Sequence, residues 1–244
     1  GNYRQLLEAI TLNPAMGAYL NTRGNKKADG SGRVPDENYA REVMQLFSIG
    51  LYDLNADGTL RGGAPRETYG PSDVSNLARI FTGYKDNRPD RQRGTGPQPY
   101  HVPKVLNASD HSPEPASFLG QTVGSGDGAS RLRLALDILF NHPNVGPFIG
   151  RQLIQRLVTS DPSPAYVGRV AAAFNNNGAG QRGDLRAVTR AVLLDPEARQ
   201  DPSLKGTTWG KLREPMLRFV QWARTFGATS ADGKWILWDM SDAS

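Results

Sequence analysis

The chain has 244 residues, 38% of them hydrophobic and 22% charged, with 29 Lys and Arg against 24 Asp and Glu. That length can bury a substantial core, and no apolar run approaches the roughly 18 residues that a membrane-crossing helix requires. Cysteine is absent, which excludes disulfides, thiolate metal sites and a cysteine nucleophile, while three histidines leave little for a multi-histidine metal centre.

Apolar residues at helical spacing dominate from the start. Tyr3, Leu6, Leu7 and Ile10 predict a helix over Tyr3 to Thr11, and Asn13-Pro14 is a cap and first-turn pair opening a second one to about Leu20. Asn21 to Val34 is polar and Gly-rich, hence a loop. Pro35 and Asp36 start a helix to Ser48, closed by Gly50. Leu51 to Leu54 and Thr59-Leu60 flank Ala56-Asp57-Gly58 as a small hairpin. Ser72 caps a helix carrying Val74, Leu77, Ala78 and Phe81 as far as Tyr84, and residues 85–126 read as a loop-rich insertion.

Beyond the insertion, Leu132, Ala135, Leu136 and Leu139 mark a helix stopped by His142-Pro143, with His142 as its C-terminal cap. Further helices run from Val145 to about Val158, from the Ser163-Pro164 cap through Phe174, from Asp184 through Val192, and from Glu214-Pro215 through Phe226. Phe118 to Val123 and Trp235 to Trp238 read as short strands able to pair. No G-x-G-x-x-G after a strand, no P-loop and no fixed-period repeat occurs. The expectation is a mainly α, irregular multi-helix domain over 1–244 with one or two short β-hairpins and long loops. Its helical start and unterminated Trp235-Ile236-Leu237-Trp238 run suggest a piece of something longer.

Positive charge is densest between Lys85 and Lys104, where Lys85, Arg88, Arg91, Arg93 and Lys104 outnumber Asp86 and Asp90 among several prolines. This is either a solvated loop or a site for an anionic polymer gripped by Arg91 and Arg93. Tyr100 is the only interleaved aromatic, too few for base stacking, so nucleic acid is disfavoured.

The helix over 36–48 carries Tyr39, Val43, Leu46 and Phe47 on one face, and Glu37, Arg41, Gln45 and Ser48 opposite, flanked by Asn38 and Glu42. Glu37 with Arg41 and Asn38 with Glu42 are i, i+4 pairs. The stripe is either a wetted face that fixes a neighbouring loop or a polar site whose two carboxylates divide acid and base roles. Glu37 and Glu42 point about 140° apart, so a shared cleft needs a covering segment such as 21–34.

Asp53, Asn55, Asp57 and Gly58 spell the opening of an EF-hand-type calcium loop, although position 12 is Ala64 and Glu67 comes three residues late; a hairpin turn explains the same letters. No other cofactor is expected. His101, Asp110, His111 and Glu114 share a loop-rich stretch that either holds a divalent metal at non-standard spacing or is solvated. Ser109-Asp110-His111 has the letters of a triad without its geometry, and no G-x-S-x-G elbow exists.

The string PDENYAREVMQLFSIG from Pro35 to Gly50 closely resembles the hallmark of the bacterial domain-of-unknown-function family eighteen-hundred, roughly NENYARELLELFTLG. Other blocks agree in order: Asn13-Pro14-Ala15-Met16 with Tyr19-Leu20, then Tyr69, Asp73-Val74, and Ala78-Arg79-Ile80-Phe81-Thr82-Gly83-Tyr84, where Tyr84 replaces the family's Trp. His111, Phe118-Leu119-Gly120, His142-Pro143, Phe148-Ile149 and Arg151-Gln152-Leu153 follow, so the likeness spans nearly the whole chain. It implies a mostly helical, exported or envelope-associated bacterial protein, often encoded beside a sulfatase- or alkaline-phosphatase-like protein that becomes a candidate partner. It supplies no reaction. Its hallmark positions mark Glu37, Asn38, Tyr39, Arg41 and Glu42, together with Arg79, Thr82 and Gly83.

Two expectations result. One is a non-catalytic envelope or secretion module that binds a partner protein or an anionic polymer. The other is a hydrolase of an extracellular polymer or ester, with Glu37 and Glu42 as acid and base, Arg41 as electrostatic partner and His111 as helper. Burial separates them, because enclosed paired charges are costly unless they serve something.

Overall fold

Local capping chemistry places most of the helices. A computed structural model describes residues 1–87, 102–207, 209–231 and 233 of the chain. In it the side chains of Asn2, Asn13, Asp127, Ser163, Asp184 and Asp195 each accept a first-turn N–H, and so start α1 (Tyr3–Leu12), α2 (Pro14–Tyr19), α5 (Gly128–Asn141), α7 (Pro164–Asn175), α8 (Leu185–Leu194) and α9 (Pro196–Arg199). His142 is the C-cap of α5 as expected, and α6 (Val145–Leu157) follows after three residues.

Two helices differ from the sequence reading at their ends. Helix α4 (Pro71–Ile80) starts at Pro71 rather than after Ser72, because Gly70 donates its N–H to the Asp73 carboxylate at 2.7 Å and proline suits the first turn, and it ends at Ile80 rather than at Tyr84, with Gly83 at φ 87° turning the chain away. Helix α3 (Asn38–Gln45) is two residues shorter at its start and three at its end. Asp36 stays outside as an acceptor for the Asn38 N–H, and Ser48 Oγ donates back to the Val43 carbonyl. Gly50, at φ 73°, then closes the turn with Phe148 pressed so near that a Cβ would sit 2.6 Å from its ring.

Helices α6, α7 and α8 pack on one another, α1 packs on α5, and α3 lies on α4. Tyr39, Met44, Ile49, Leu77, Phe81, Leu136, Tyr166 and Phe174 form one buried cluster across these contacts. Each large side chain so enclosed contributes about 1.5–3 kcal/mol relative to exposure. The α10 helix (Pro215–Thr225) buries none of its residues.

Strands are few. Antiparallel β1 (Tyr84–Lys85) and β2 (Val105–Leu106) pair Tyr84 with Leu106, and β3 (Ala116–Phe118) pairs with β4 (Gln121–Val123). Residues 118–123 are therefore not one strand: Leu119 and Gly120, both at positive φ, turn the chain back on itself. The Trp235 to Trp238 stretch lies outside the described residues. The hairpin at 51–60 is present as isolated bridges, Leu54 to Leu60 and Tyr52 to Glu67. The protein is mainly α with short hairpins, and among the described residues no helix is long and apolar enough to cross a membrane.

Candidate functional site

The hallmark helix is a packing element first. Tyr39, Ala40, Val43 and Met44 are buried, Tyr39 meets Phe81 edge-on at 4.9 Å, and its hydroxyl donates to Thr11 Oγ1 at 2.7 Å, since Thr11 itself donates to the Leu7 carbonyl. On the opposite stripe Glu37 reaches Arg41 at 3.4 Å and accepts a hydrogen bond from Ser75 Oγ of α4. The two side chains are 40% and 47% exposed, so the stripe ties two helices together at the surface. Glu42 faces another direction, near Tyr69, whose pKa is raised chiefly by burial, with Glu42 and Glu67 adding to the rise and Arg41 opposing it. Arg79 extends to Glu114, 3.7 Å away. Among the described residues no hydrogen bond or ion pair joins Glu37, Arg41 or Glu42 to Arg79 or His111.

His111 belongs to a closed polar knot. Its Nδ1 lies 2.9 Å from the Thr82 carbonyl, which can only accept, so that nitrogen carries the proton. Its Nε2 therefore accepts from Arg131 Nη1, also at 2.9 Å. Burial, with the Arg131 charge alongside, holds the imidazole below its ordinary pKa of 6.5 despite the Thr82 hydrogen bond. Arg131 is 1% exposed and spends its donors on main-chain carbonyls of Ser112, Glu114 and Gly124. Thr82 Oγ1 accepts from the Ser112 N–H at 2.9 Å. Gly83, at φ 87°, allows the approach: a Cβ there would lie 2.9 Å from the Asn107 carbonyl oxygen and from His111 Cβ. Thr82, Gly83 and His111 thus join the 105–124 segment to α4 and α5. Arg131 carries no mark in the sequence reading, although Arg131, Ala135 and Leu139 share the i, i+4, i+8 spacing of a buried face.

The calcium-like string is organised as a turn. Arg66 Nε donates to Asp53 at 2.7 Å, Asn55 Nδ2 donates to Thr59 Oγ1 at 2.9 Å, and Asp57 accepts from Thr59 N and Oγ1, which holds its carboxyl below the usual range. A calcium ion would have to displace Arg66 from Asp53. Among the described residues no group of three or more His, Cys, Asp or Glu is placed to hold a metal ion. Arg91, Arg93 and His101 lie outside the described residues. Lys104 is 4% exposed, donates Nζ to Thr22 Oγ1, and is pushed down to about 8 by burial, so the basic stretch presents one cation fewer to a ligand.

A further open feature lies elsewhere. A groove of about 940 Å³ runs between the 45–63 segment, the outer face of α6 and the start of α7. Asn144, fully buried in the turn before α6, builds one wall: its Nδ2 donates to the carbonyls of Ile49 and Tyr52, at 3.0 and 2.8 Å, and its Oδ1 accepts from the Leu54 N–H at 3.1 Å. Leu46, Leu51 and Tyr52 line the groove while 49%, 44% and 43% exposed, with Phe148 and Val167 deeper in. Gln45, Asp57, Thr59 and Gln155 set polar groups between these apolar side chains. Arg151 makes no hydrogen bond or ion pair among the described residues, and Gln152 Nε2 is buried without a partner. Asp161 supplies a carboxylate on the same surface. A largely apolar trough holding the Arg151 guanidinium, the carboxylates of Asp57 and Asp161 and an orphaned amide suits a ligand of mixed character. The sequence reading gave Leu51, Arg151, Gln152 and Asp161 no site role, because Leu51 and Arg151 stand a hundred positions apart.

The family model described as protein of unknown function, DUF1800, matches residues 1–242. No curated protein and no solved structure matches the chain.

Proposed function

The chain belongs to the DUF1800 family, and from its geometry we propose a non-catalytic helical module that takes an extended segment of a partner protein into the groove beside α6. The groove carries this reading through Gln152, whose buried Nε2 lacks an acceptor that a bound main chain would supply. Exposed Leu46, Leu51 and Tyr52 offer places for alternate side chains, and Arg151 a counter-charge for an acidic one. A uniform anionic polymer fits less well, since it would meet Asp161 and gain nothing from the enclosed Lys104. Hydrolysis finds little support from Glu37 and Glu42, because Glu37 is engaged by Arg41 and Ser75 and no hydrogen bond or ion pair among the described residues joins it to Glu42. The exported, envelope-associated setting implied by the hallmark remains part of this proposal, with the sulfatase- or phosphatase-like neighbour as the first partner to try.

Selection of displayed random peptides on the intact chain tests the groove. The expected result is a consensus of alternating apolar residues with one acidic position, whose affinity drops about tenfold or more in Leu51→Asp and in Arg151→Glu without a change in thermal midpoint. No consensus, or one indifferent to both substitutions, overturns the reading.

A further inference from the structure

Asp161, Pro162 and Pro164, which line the groove around the start of α7, also line a second hollow of about 410 Å³. Its other wall comes from Glu197 of α9 and from the segment that follows, where Leu204 and Trp209 are the apolar part. Lys205 holds its ammonium over the Trp209 ring, 4.0 Å from the centroid. Its hydrogen bond to the Ala198 carbonyl is long, at 3.4 Å, and Asp201 attracts it from further off. The Glu197 carboxylate is engaged: it accepts from Ser163 N at 3.1 Å and from Ser163 Oγ, and Arg169 lies 3.8 Å away. Asp161 is different. It is exposed and makes no hydrogen bond or ion pair among the described residues. Gln200 donates its amide to the Leu204 carbonyl at 3.2 Å, which leaves its side-chain oxygen free to accept.

We propose that this hollow takes an arginine side chain of the segment that occupies the groove, its guanidinium stacking on Trp209 and donating to Asp161 and Gln200. The inference rests on the groove reading and adds a second charged position to it. A guanidinium is flat, weakly hydrated and rich in donors, so it stacks on an indole while hydrogen-bonding in its own plane. Lys205 shows that the ring accepts a cation, and its one long hydrogen bond makes it a displaceable occupant. An acidic side chain fits badly, since it would meet Asp161 and Glu197 with only Lys205 in the hollow to answer them. With Arg151 facing a carboxylate and Asp161 a guanidinium, opposite charges fix the register of the bound segment.

Selection on the intact chain with two displayed peptide libraries, one fully random and one lacking Arg and Lys, tests this. The random library should yield a consensus that adds an Arg to the acidic and apolar positions, with binders about tenfold tighter than those of the depleted library. Asp161→Asn should weaken the Arg-bearing peptides about fivefold and leave the depleted ones unchanged. Lys205→Gln should tighten the Arg-bearing peptides about threefold by clearing the ring. Asp161 makes no bond and Lys205 one long one, so the thermal midpoint should hold in both variants. Equally tight binders from the two libraries overturn this inference alone and leave the groove reading standing. Weaker binding in Lys205→Gln does the same, because it would make the amine a contact of the ligand. Absence of binders from either library overturns both.

Discussion

Two arginines show how differently one residue type is used in this molecule. Arg131 sits 1% exposed, with its donors taken by three carbonyls and an imidazole, whereas Arg151 lies in the α6 groove and touches no acceptor among the described residues. The hallmark residues Thr82 and Gly83 gather round the first. A charge with every donor satisfied has nothing left to offer a ligand; it fixes one arrangement of the chain. On the proposed reading, a partner is taken where polar groups were left unpaired, in a groove that borrows only Gln45, Leu46 and Gly50 from the hallmark string.

Removing each guanidinium tests that contrast most severely. Arg131→Met leaves the carbonyls of Ser112, Glu114 and Gly124 and the His111 Nε2 without a donor, so denaturant unfolding should show a loss of about 3 kcal/mol or more. Arg151→Ala should stay within about 0.5 kcal/mol of the parent. Equal losses would erase the distinction between the two sites.

Acid sharpens the same comparison at smaller cost. His111 is held neutral, its folded pKa depressed below the unfolded 6.5, so protons bind the unfolded chain first. Its contribution is complete above about pH 6.5 and is lost as pH falls through that depressed value. Asp127, Lys27 and Arg131 are the charged groups that act on it. His142 shifts in the same direction, mainly through burial, and contributes to the same decline. Thermal midpoints between about pH 7.5 and about pH 5 should fall more steeply in the parent than in His111→Gln. Parallel slopes would show that the knot tolerates an imidazolium.

The smallest effect belongs to the hallmark stripe. Glu37→Gln removes an exposed pair with Arg41 and weakens one hydrogen bond from Ser75, so chemical denaturation should register less than about 1 kcal/mol. A larger loss would mean that the stripe shapes more of the molecule than its exposure indicates.

Legibility followed range. Asn13-Pro14, Ser163-Pro164, Asp184 and His142-Pro143 announce helix ends because a cap needs only its own first or last turn. The β1–β2 pair escaped notice: two residues per strand carry no periodicity, and their register is set across a twenty-residue gap. Arg131 was concealed by its own chemistry, since a charged side chain on an apolar face reads as a surface position until its partners, drawn from a distant loop, are known. The groove was least legible of all, being assembled from the turn after α3, the middle of α6 and the start of α7.

The fully enclosed Asn144 has a consequence for kinetics. Its amide fastens the 49–54 strip at three main-chain points, in place of the long strand ladder that the strip lacks. A visitor to the neighbouring trough would meet a wall already set, so little configurational freedom would be surrendered on docking and encounter need not wait for a rearrangement. Asn144→Ala would make that wall supple, and the change should register as slower capture well before it registers as an altered contact.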